Sequence, residues 1–247
     1  MRSLSASELL TIWESGWSAR PFERALALLS AAMPGFSAAT LAQISLGARD
    51  LRLLRLREWV FGSDLTLFVS CPQCGQGLEV SLPATRLRAV PDDGVESPVA
   101  LESEVVAGDY SVRCRPPTSL DLAACAGLDT CTSRTRLFER CVIEAQHHGR
   151  ALSAIELPGE VARKVIEQIA ASDPQADVHV NFHCPDCHRA WTETFDIVSF
   201  FWTELDAWAR RMVREVHTLA TAYGWREGDI LALSPGRRQV YLAMVQA

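Results

Sequence analysis

Apolar residues near both ends of the chain recur at steps of three and four, the period of helices with one buried face. At the start, Ser5 or Ser7 can cap a first helix, because a hydroxyl there accepts a hydrogen bond from the free amides of the first turn. Pro21 can open a second helix, and a further helix covers residues 46–61. We therefore predict an N-terminal helical arm over residues 1–62.

The helical period returns after residue 197 and continues to the end of the chain. The apolar positions of a long amphipathic helix that ends near Gly224 are Phe201, Trp202, Leu205, Trp208, Met212, Val216 and Leu219. A short helical turn around Ile230 and a last stretch over residues 237–246 follow it. This pattern predicts a C-terminal helical segment over residues 198–247.

Two other stretches, residues 65–82 and 178–197, alternate apolar and polar residues with the strand period of two. Each is broken by the same Cys-Pro-x-Cys turn, at Cys71–Cys74 in the first and at Cys184–Cys187 in the second. The glycine after the first turn suits a backbone position of positive φ, and the histidine after the second is a weaker fit there. We predict two hairpins that share one turn type.

The region between the hairpins, residues 83–177, changes composition twice along its length. Residues 83–98 hold three prolines and an Asp-Asp-Gly turn signal, which predict an exposed linker. The elements predicted after it are a hairpin around Gly108, a helix from near Leu120, and helices over residues 128–146 and 159–171. This region is therefore predicted to be a small inserted α/β segment.

The two Cys-Pro-x-Cys turns predict one structural zinc site with the four ligands Cys71, Cys74, Cys184 and Cys187. Zinc binds four tetrahedral sulfurs, and a two-residue gap lets both thiolates of one turn reach the same ion. The halves are separated by 109 residues, far more than the roughly 15–20 of a compact ribbon. Four sulfurs leave no open position for catalysis, so the site is expected to be structural.

The predicted fold class is thus α+β, with a four-cysteine zinc ribbon that is split by an inserted α/β segment and flanked by helical segments. The predicted parts are the N-terminal helical arm 1–62, the split ribbon 63–82 and 178–197, the inserted segment 83–177, and the C-terminal helical segment 198–247.

The bulk composition is that of an ordinary globular protein, with 247 residues of which 48% are apolar and 22% charged. A formal net charge of −6 leaves no overall basic footprint for a nucleic-acid backbone. No run approaches the roughly 18 apolar residues of a membrane span, and the N-terminus lacks a signal-peptide pattern. We expect a soluble, cytoplasmic protein whose other cysteines, Cys114, Cys125, Cys131 and Cys141, are buried free thiols.

Other chemistries of cysteine and histidine fit the sequence less well. A redox pair stands at a helix N-terminus, whereas predicted strands flank both turns here, and a degenerate ribbon without metal stays an open alternative. The His-x-Glu motif of zinc deaminases and the His-Glu-x-x-His motif of metalloproteases are absent. His183 and His188 flank the second turn, but four cysteines already fill the tetrahedron. We predict no enzymatic activity and no small-molecule substrate.

The C-terminal block Tyr223-Gly224-Trp225-x-Glu227, together with the later Arg237-Arg238-x-x-Tyr241-Leu242, resembles the tail of the phage-T4-type baseplate family. The likeness is firmest over residues 200–243. The helical arm and the twin cysteine turns also resemble the zinc-ribbon-bearing members of bacterial contractile injection systems. Members of the family are commonly described as baseplate hub components or hub assembly chaperones.

This resemblance implies a non-enzymatic structural component or assembly chaperone of the baseplate of a phage-tail-like contractile injection system. The implied partners are other baseplate or hub proteins, and the implied location is the bacterial cytoplasm or the assembled particle. Aromatic residues are concentrated between Trp191 and Trp225, and a core packed against the ribbon is the favoured explanation. A partner-binding surface is the other, because aromatic residues are enriched at interface centres. The expected partner-binding residues are Trp202, Trp208, Tyr223, Trp225, Arg238 and Tyr241.

Two functions of other classes remain open at this point. A nucleic-acid-associated zinc ribbon protein is the alternative, and it predicts a basic face beside the ribbon. An enzyme with a structural zinc is a third interpretation, for which no set of residues in the sequence nominates a reactive site.

Overall fold

A computed structural model of the chain describes residues 1–89 and 102–246. Within them the protein is of the α+β class, as predicted. The prolines and the Asp-Asp-Gly turn signal that fall within residues 90–101 lie outside the described residues. The chain divides into two compact units, one formed by Met1–Pro34 with Val198–Ala247 and the other by Gly35–Ile197. The division into four parts along the sequence stays a prediction.

The described helices and strands alternate along the chain in short runs. The helices are α1 Ala6–Ser15, α2 Pro21–Ala32, α3 Ala38–Ala42, α4 Leu46–Phe61, α5 Ser119–Cys125, α6 Thr130–Cys141, α7 Gly159–Ser172, α8 Ile197–Tyr223, α9 Glu227–Leu231 and α10 Pro235–Gln246. The strands are β1 Asp64–Ser70, β2 Gly77–Pro83, β3 Ser103–Ala107, β4 Tyr110–Cys114, β5 Val142–His147, β6 Arg150–Leu152, β7 His179–His183 and β8 Ala190–Thr194.

The helix ends in the N-terminal part follow the capping residues of the sequence. The Ser5 hydroxyl accepts a hydrogen bond from the Glu8 amide at 3.3 Å, and the Glu8 carboxylate accepts one from the Ser5 amide at 2.9 Å. This reciprocal capping box satisfies two free amides at the start of α1. Pro21 opens α2 and Gly62 ends α4 with φ of 95°, a conformation that glycine adopts without a steric cost.

In the unit formed by the two ends of the chain, the described elements are all helices. Its buried side chains include Leu28 and Leu29 of α2 and Phe201 and Leu205 of α8. A second cluster, formed by Leu219, Ile230 and Leu242, joins α8, α9 and α10, and Trp225 and Tyr241 pack against it. The C-terminal apolar periodicity therefore buries one face of α8, as the sequence predicts.

The described residues of the other unit form three separate antiparallel sheets. The hairpins β1–β2 and β7–β8 are each two-stranded, and the third sheet has the strand order β3-β4-β5-β6. One face of the four-stranded sheet packs against α7 through a core that includes Val112, Ala145, Val161 and Val165.

The prediction of a single helix over residues 128–146 is wrong from residue 142 onward. Helix α6 ends at Cys141, and residues 142–147 form strand β5, which pairs with both β4 and β6. Phe138, Val142 and Ala145 are spaced by four and then three residues, which is the spacing of one helix face, so the period alone pointed to a helix. The ladder partners on both sides decide for the strand.

The predicted linker after β2 is also partly ordered against the protein. Residues Ala84–Leu87 form a short 3-10 helix, and Ala84 and Leu87 in it are buried. Gln175 secures the next residues, since its side-chain amide donates to the Leu87 carbonyl and its side-chain oxygen accepts from the Ala89 amide. The linker prediction is therefore wrong for this first stretch.

Candidate metal centre

The two cysteine-bearing hairpins have the same construction. Strands β1 and β2 pair from Asp64↔Pro83 to Ser70↔Gly77, and β7 and β8 pair from His179↔Thr194 to His183↔Ala190. In each hairpin a cysteine follows the first strand directly, and the second cysteine stands in the turn that returns the chain. A pair of thiols is therefore held at the tip of each hairpin.

The backbone of the two tips also matches. The Cys71 amide donates to the Gln76 carbonyl at 2.8 Å, as the Cys184 amide donates to the Arg189 carbonyl at 2.9 Å. Four residues after each first cysteine the backbone takes a positive φ, 75° at Gly75 and 57° at His188. The residues that the sequence analysis placed at this conformation therefore adopt it.

The structure brings the four thiols to one point. The sulfurs of Cys71 and Cys187 are 3.6 Å apart, as are those of Cys74 and Cys184, and the cluster as a whole spans about 3.6–3.8 Å between sulfurs. A tetrahedral zinc ion with Zn–S bonds of about 2.3 Å holds its sulfurs about 3.8 Å apart. A disulfide would need about 2.05 Å between them. The arrangement is thus compatible with a four-sulfur metal site.

The close approach of the four thiols shifts the pKa values of Cys71 and Cys74 in opposite directions. Burial alone would raise the pKa of Cys71, but the amides of Cys74 and Gln73 donate to its sulfur and lower that pKa to about 7. The Gln76 amide lowers the pKa of Cys74, yet burial and the neighbouring thiols raise it to about 12. Negative charge on several sulfurs in so small a volume is repulsive, and a divalent ion at the centre removes that repulsion.

The burial of the ligand set is uneven. Cys71 and Cys184 are buried, Cys187 is partly buried and Cys74 is exposed. The rings of His183 and His188 lie beside the second tip with their centroids 5.7 Å apart, and both residues are exposed. Among the described residues, the group of potential ligands at this point consists of the four cysteines alone.

The remaining cysteines do not behave as one class. Cys114 and Cys141 are buried, and burial raises the pKa of both thiols, that of Cys141 to about 12. The prediction that all four are buried is wrong for the other two, because Cys125 is only partly buried and Cys131 is exposed on the first turn of α6.

The expected partner-binding residues fall into two groups. Trp202 packs within its own unit, since its ring lies against Gly16 and the Arg24 guanidinium stands 4.4 Å from the ring centroid. Trp208 is partly buried on the same helix. The ring centroids of Tyr223 and Trp225 are 4.7 Å apart and those of Trp225 and Tyr241 are 4.8 Å apart, which forms one aromatic cluster. Tyr223 is 39% exposed.

Arg238, the one charged residue among those candidates, is buried. Its Nε donates to the Glu215 carboxylate at 2.7 Å, which joins α10 to α8. Its Nη1 also donates to the Leu233 carbonyl at 3.4 Å. The guanidinium is therefore part of the packing between these helices and is not available to a partner, so we leave it out of the contact surface.

The structure also assembles a group that the sequence analysis missed. Asp109, His147 and His148 present ligand atoms that all lie within 4.8 Å of one another. The helix predicted over residues 128–146 would put His147 and His148 just after its end, whereas they belong to β5 and the turn after it. Recognising β5 as a strand opposite β4 is the signal that could have found this group.

The comparisons with known proteins agree in part with the resemblance found in the sequence. A protein family described as T4 bacteriophage base plate protein matches residues 33–202, more than half of the chain. The match contains both cysteine hairpins and the four-stranded sheet, and it excludes most of residues 200–243, where the sequence resemblance is firmest. No curated protein and no solved structure gives a significant match. Among the described helices, none combines the length and apolar character needed to cross a membrane.

Proposed function

This chain belongs to the T4 bacteriophage base plate protein family, and from that membership we propose a non-enzymatic role as a structural component or assembly chaperone of the baseplate of a phage-tail-like contractile injection machine. The observation that carries the proposal is the family match over residues 33–202, because it spans the chain from α3 into the start of α8. Other baseplate or hub proteins are the proposed partners.

The four-cysteine cluster is the proposed site of one structural Zn²⁺ per chain. Cys71, Cys74, Cys184 and Cys187 would supply four thiolates, the ligand set and spacing that tetrahedral zinc prefers. A closed set of four sulfurs leaves no position for a substrate or an activated water, so the ion stabilises the fold without catalysing a reaction.

The stabilising role follows from the small size of the two hairpins. A two-stranded hairpin is marginally stable in water, and β1–β2 and β7–β8 belong to separate sheets. A shared ion joins their tips although they are distant in sequence, and the binding free energy of a structural zinc contributes directly to folding. The metal therefore acts as a clasp that fixes one hairpin to the other.

The proposed contact surface is the aromatic cluster at the end of α8. Tyr223, Trp225 and Tyr241 combine large rings with partial exposure, the properties of residues at the centre of interfaces. Trp202 and Trp208 are the weaker candidates, because the ring of the first is occupied by Gly16 and Arg24 and neither belongs to this aromatic cluster.

Deletion of the gene in the bacterium that carries it tests the proposed role. We expect electron microscopy of lysates to show no complete contractile particles, with sheath or tube accumulating without a finished baseplate. Complementation with the wild-type gene should restore particles. Normal particles in normal numbers from the deletion strain would contradict the proposal.

A further inference from the structure

Asp109 and His148 stand on two hairpin turns that lie side by side at one end of the four-stranded sheet. Gly108 and Asp109 connect β3 to β4, and His148 and Gly149 connect β5 to β6. Strands β4 and β5 pair with Tyr110 opposite His147, so the two turns are neighbours. The His148 amide donates to the Asp109 carbonyl at 3.1 Å and extends this pairing into the turns.

The backbone at His148 is unusual for a residue with a side chain. His148 has φ of 49° and Gly149 has φ of 77°, and two consecutive positive values are the mark of the tight type I′ hairpin turn. Asparagine and glycine are the residues preferred there, because they adopt this conformation at the lowest cost. The turn therefore carries an imidazole at a position where the backbone favours a smaller residue.

The three side chains approach the spacing of ligands on a common ion. His148 Nε2 and Asp109 Oδ2 are 3.5 Å apart, and one ring nitrogen of His147 completes a set within 4.8 Å. Ligands at about 2.0–2.1 Å from a tetrahedral ion are about 3.3 Å apart. The Asp109–His148 pair is already close to this spacing, and a shift of at most about 1.5 Å would bring His147 to it.

Other rings contact the faces of the His147 imidazole and leave the edge that carries its nitrogens uncovered. It stacks on Tyr110 with centroids 4.2 Å apart and planes at 11°, and the His148 ring lies 4.3 Å from it on a tilt of 40°. Ring nitrogens lie on the edge of imidazole, so stacking orients them without occupying them. Among residues 1–89 and 102–246, no hydrogen bond to a ring nitrogen of His147 is present.

We propose that Asp109, His147 and His148 bind a divalent transition-metal cation of the Zn²⁺, Ni²⁺ and Cu²⁺ class. Imidazole is a strong ligand for these ions, and the carboxylate of the aspartate adds a negative charge that partly neutralises the cation. Three protein ligands leave at least one position for water. The site shares no residue with the four-cysteine cluster and is more exposed, so its ion exchanges with solvent more readily.

Calorimetric titration of Ni²⁺ into tag-free protein that retains metal at its four cysteines tests this site. We expect one further equivalent of Ni²⁺ to bind. The variants are Asp109→Asn, which keeps the side-chain shape, His147→Phe, which keeps the stack on Tyr110, and His148→Asn, which suits the turn. Each should weaken binding by at least about tenfold, a loss that even outer-shell partners of metal ligands can give.

The matched control is His179→Ala. His179 Nε2 also faces a carboxylate, that of Asp177 at 3.1 Å, but no second imidazole joins this pair among the described residues. The control should bind Ni²⁺ as the wild type does, and circular dichroism should show all variants folded. The proposal is overturned if wild-type protein shows no saturable further Ni²⁺ binding. Unchanged affinity in the three variants, or an equal loss in His179→Ala, would overturn it too.

Discussion

Asp121, at the start of α5, has no exposed surface and carries a dense set of hydrogen bonds. Both Arg115 and Arg140 donate to its carboxylate, as do the amide and hydroxyl of Thr118. Burial alone would raise the pKa of Asp121, but the hydrogen bonds from Arg115 and Thr118 lower it to about 2. The residue therefore stabilises the fold as a carboxylate and loses this contribution only as pH falls below about 4 towards 2.

We predict that Asp121→Ala lowers the free energy of unfolding by about 3 kcal/mol, because it leaves two guanidinium groups without their partner. Urea denaturation at neutral pH measures the change. The control is Asp129→Ala, which removes the exposed N-cap of α6 and should cost clearly less. Equal losses in the two variants would show that Asp121 acts only as a helix cap.

Asp50 illustrates the opposite electrostatic situation. Burial raises the pKa of its carboxyl to about 6, although Arg49 donates to it at 2.7 Å and lowers that pKa. The folded protein then holds a proton more tightly than the unfolded chain does, so the free energy of unfolding falls as pH rises from about 4 to about 6.

We predict that this pH dependence is specific to the carboxyl of Asp50. Between about pH 4 and 6 the wild type should lose up to about 3 kcal/mol relative to Asp50→Asn, which cannot titrate. Urea denaturation of both proteins across this range gives the difference. The prediction is contradicted if the stability of the wild type relative to Asp50→Asn stays constant or increases as pH rises. Burial would then not destabilise the Asp50 carboxylate.

Glycine is required at position 16, where α1 ends, because a neighbouring side chain packs against it and not because of its backbone angle. Its φ is −86°, open to any residue, but an added Cβ would overlap the ring of Trp202. We predict that Gly16→Ala lowers the free energy of unfolding by about 1–3 kcal/mol through overpacking. Gly35→Ala is the control in thermal or urea denaturation, since nothing lies within 4 Å of its added Cβ. Unchanged stability of Gly16→Ala would place Trp202 elsewhere.

At the scale of elements, the two cysteine hairpins depend on the ion that we propose between them. We predict that removing the metal speeds amide hydrogen exchange in β1, β2, β7 and β8, because isolated two-stranded hairpins are marginally stable. Strands β4 and β5 should be unaffected, since their sheet packs against α7. Hydrogen exchange with mass spectrometry before and after chelation measures this.

Cysteine variants make the same prediction without a chelator. Cys71→Ser with Cys184→Ser should abolish the stoichiometric zinc and reproduce the faster exchange, because two of four ligands are lost. Cys125→Ser with Cys131→Ser is the matched control, since these thiols lie outside the cluster. Full zinc content in the Cys71→Ser, Cys184→Ser variant would contradict the assignment of the zinc to these four cysteines.

Elements whose sequence carries both a period and an end signal were predicted well. The start of α1 at its capping serine, the proline start of α2 and the bounds of α4 all agree with the structure. Residues 142–147 were missed because the apolar spacing that continues from α6 is that of a helix and their pairing with β4 and β6 is non-local. The Asp109–His147–His148 group was missed for the same reason.

At the scale of the whole molecule, local sequence patterns predicted less of the structure. The pairing of the two cysteine turns was predictable from the sequence. Each short Cys-Pro-x-Cys motif supplies two of the four ligands of a zinc site, so two such motifs indicate a contact even when they are far apart in the chain. The sequence did not predict that Met1–Pro34 and the C-terminal helices form one unit, because the apolar face of an amphipathic helix does not specify which helix it packs against. The buried state of Arg238 was also hidden, since its partner Glu215 lies 23 residues earlier on another helix.

Affinity purification of the chain at natural expression from the bacterium that carries it tests the central claim most directly. We predict that mass spectrometry finds other baseplate or tail proteins with it. Tyr223→Ala should reduce their recovery, whereas Trp59→Ala, an exposed aromatic of α4, should not. Recovery of nucleic acid with no tail or baseplate protein would contradict the account and favour a nucleic-acid-associated zinc ribbon protein.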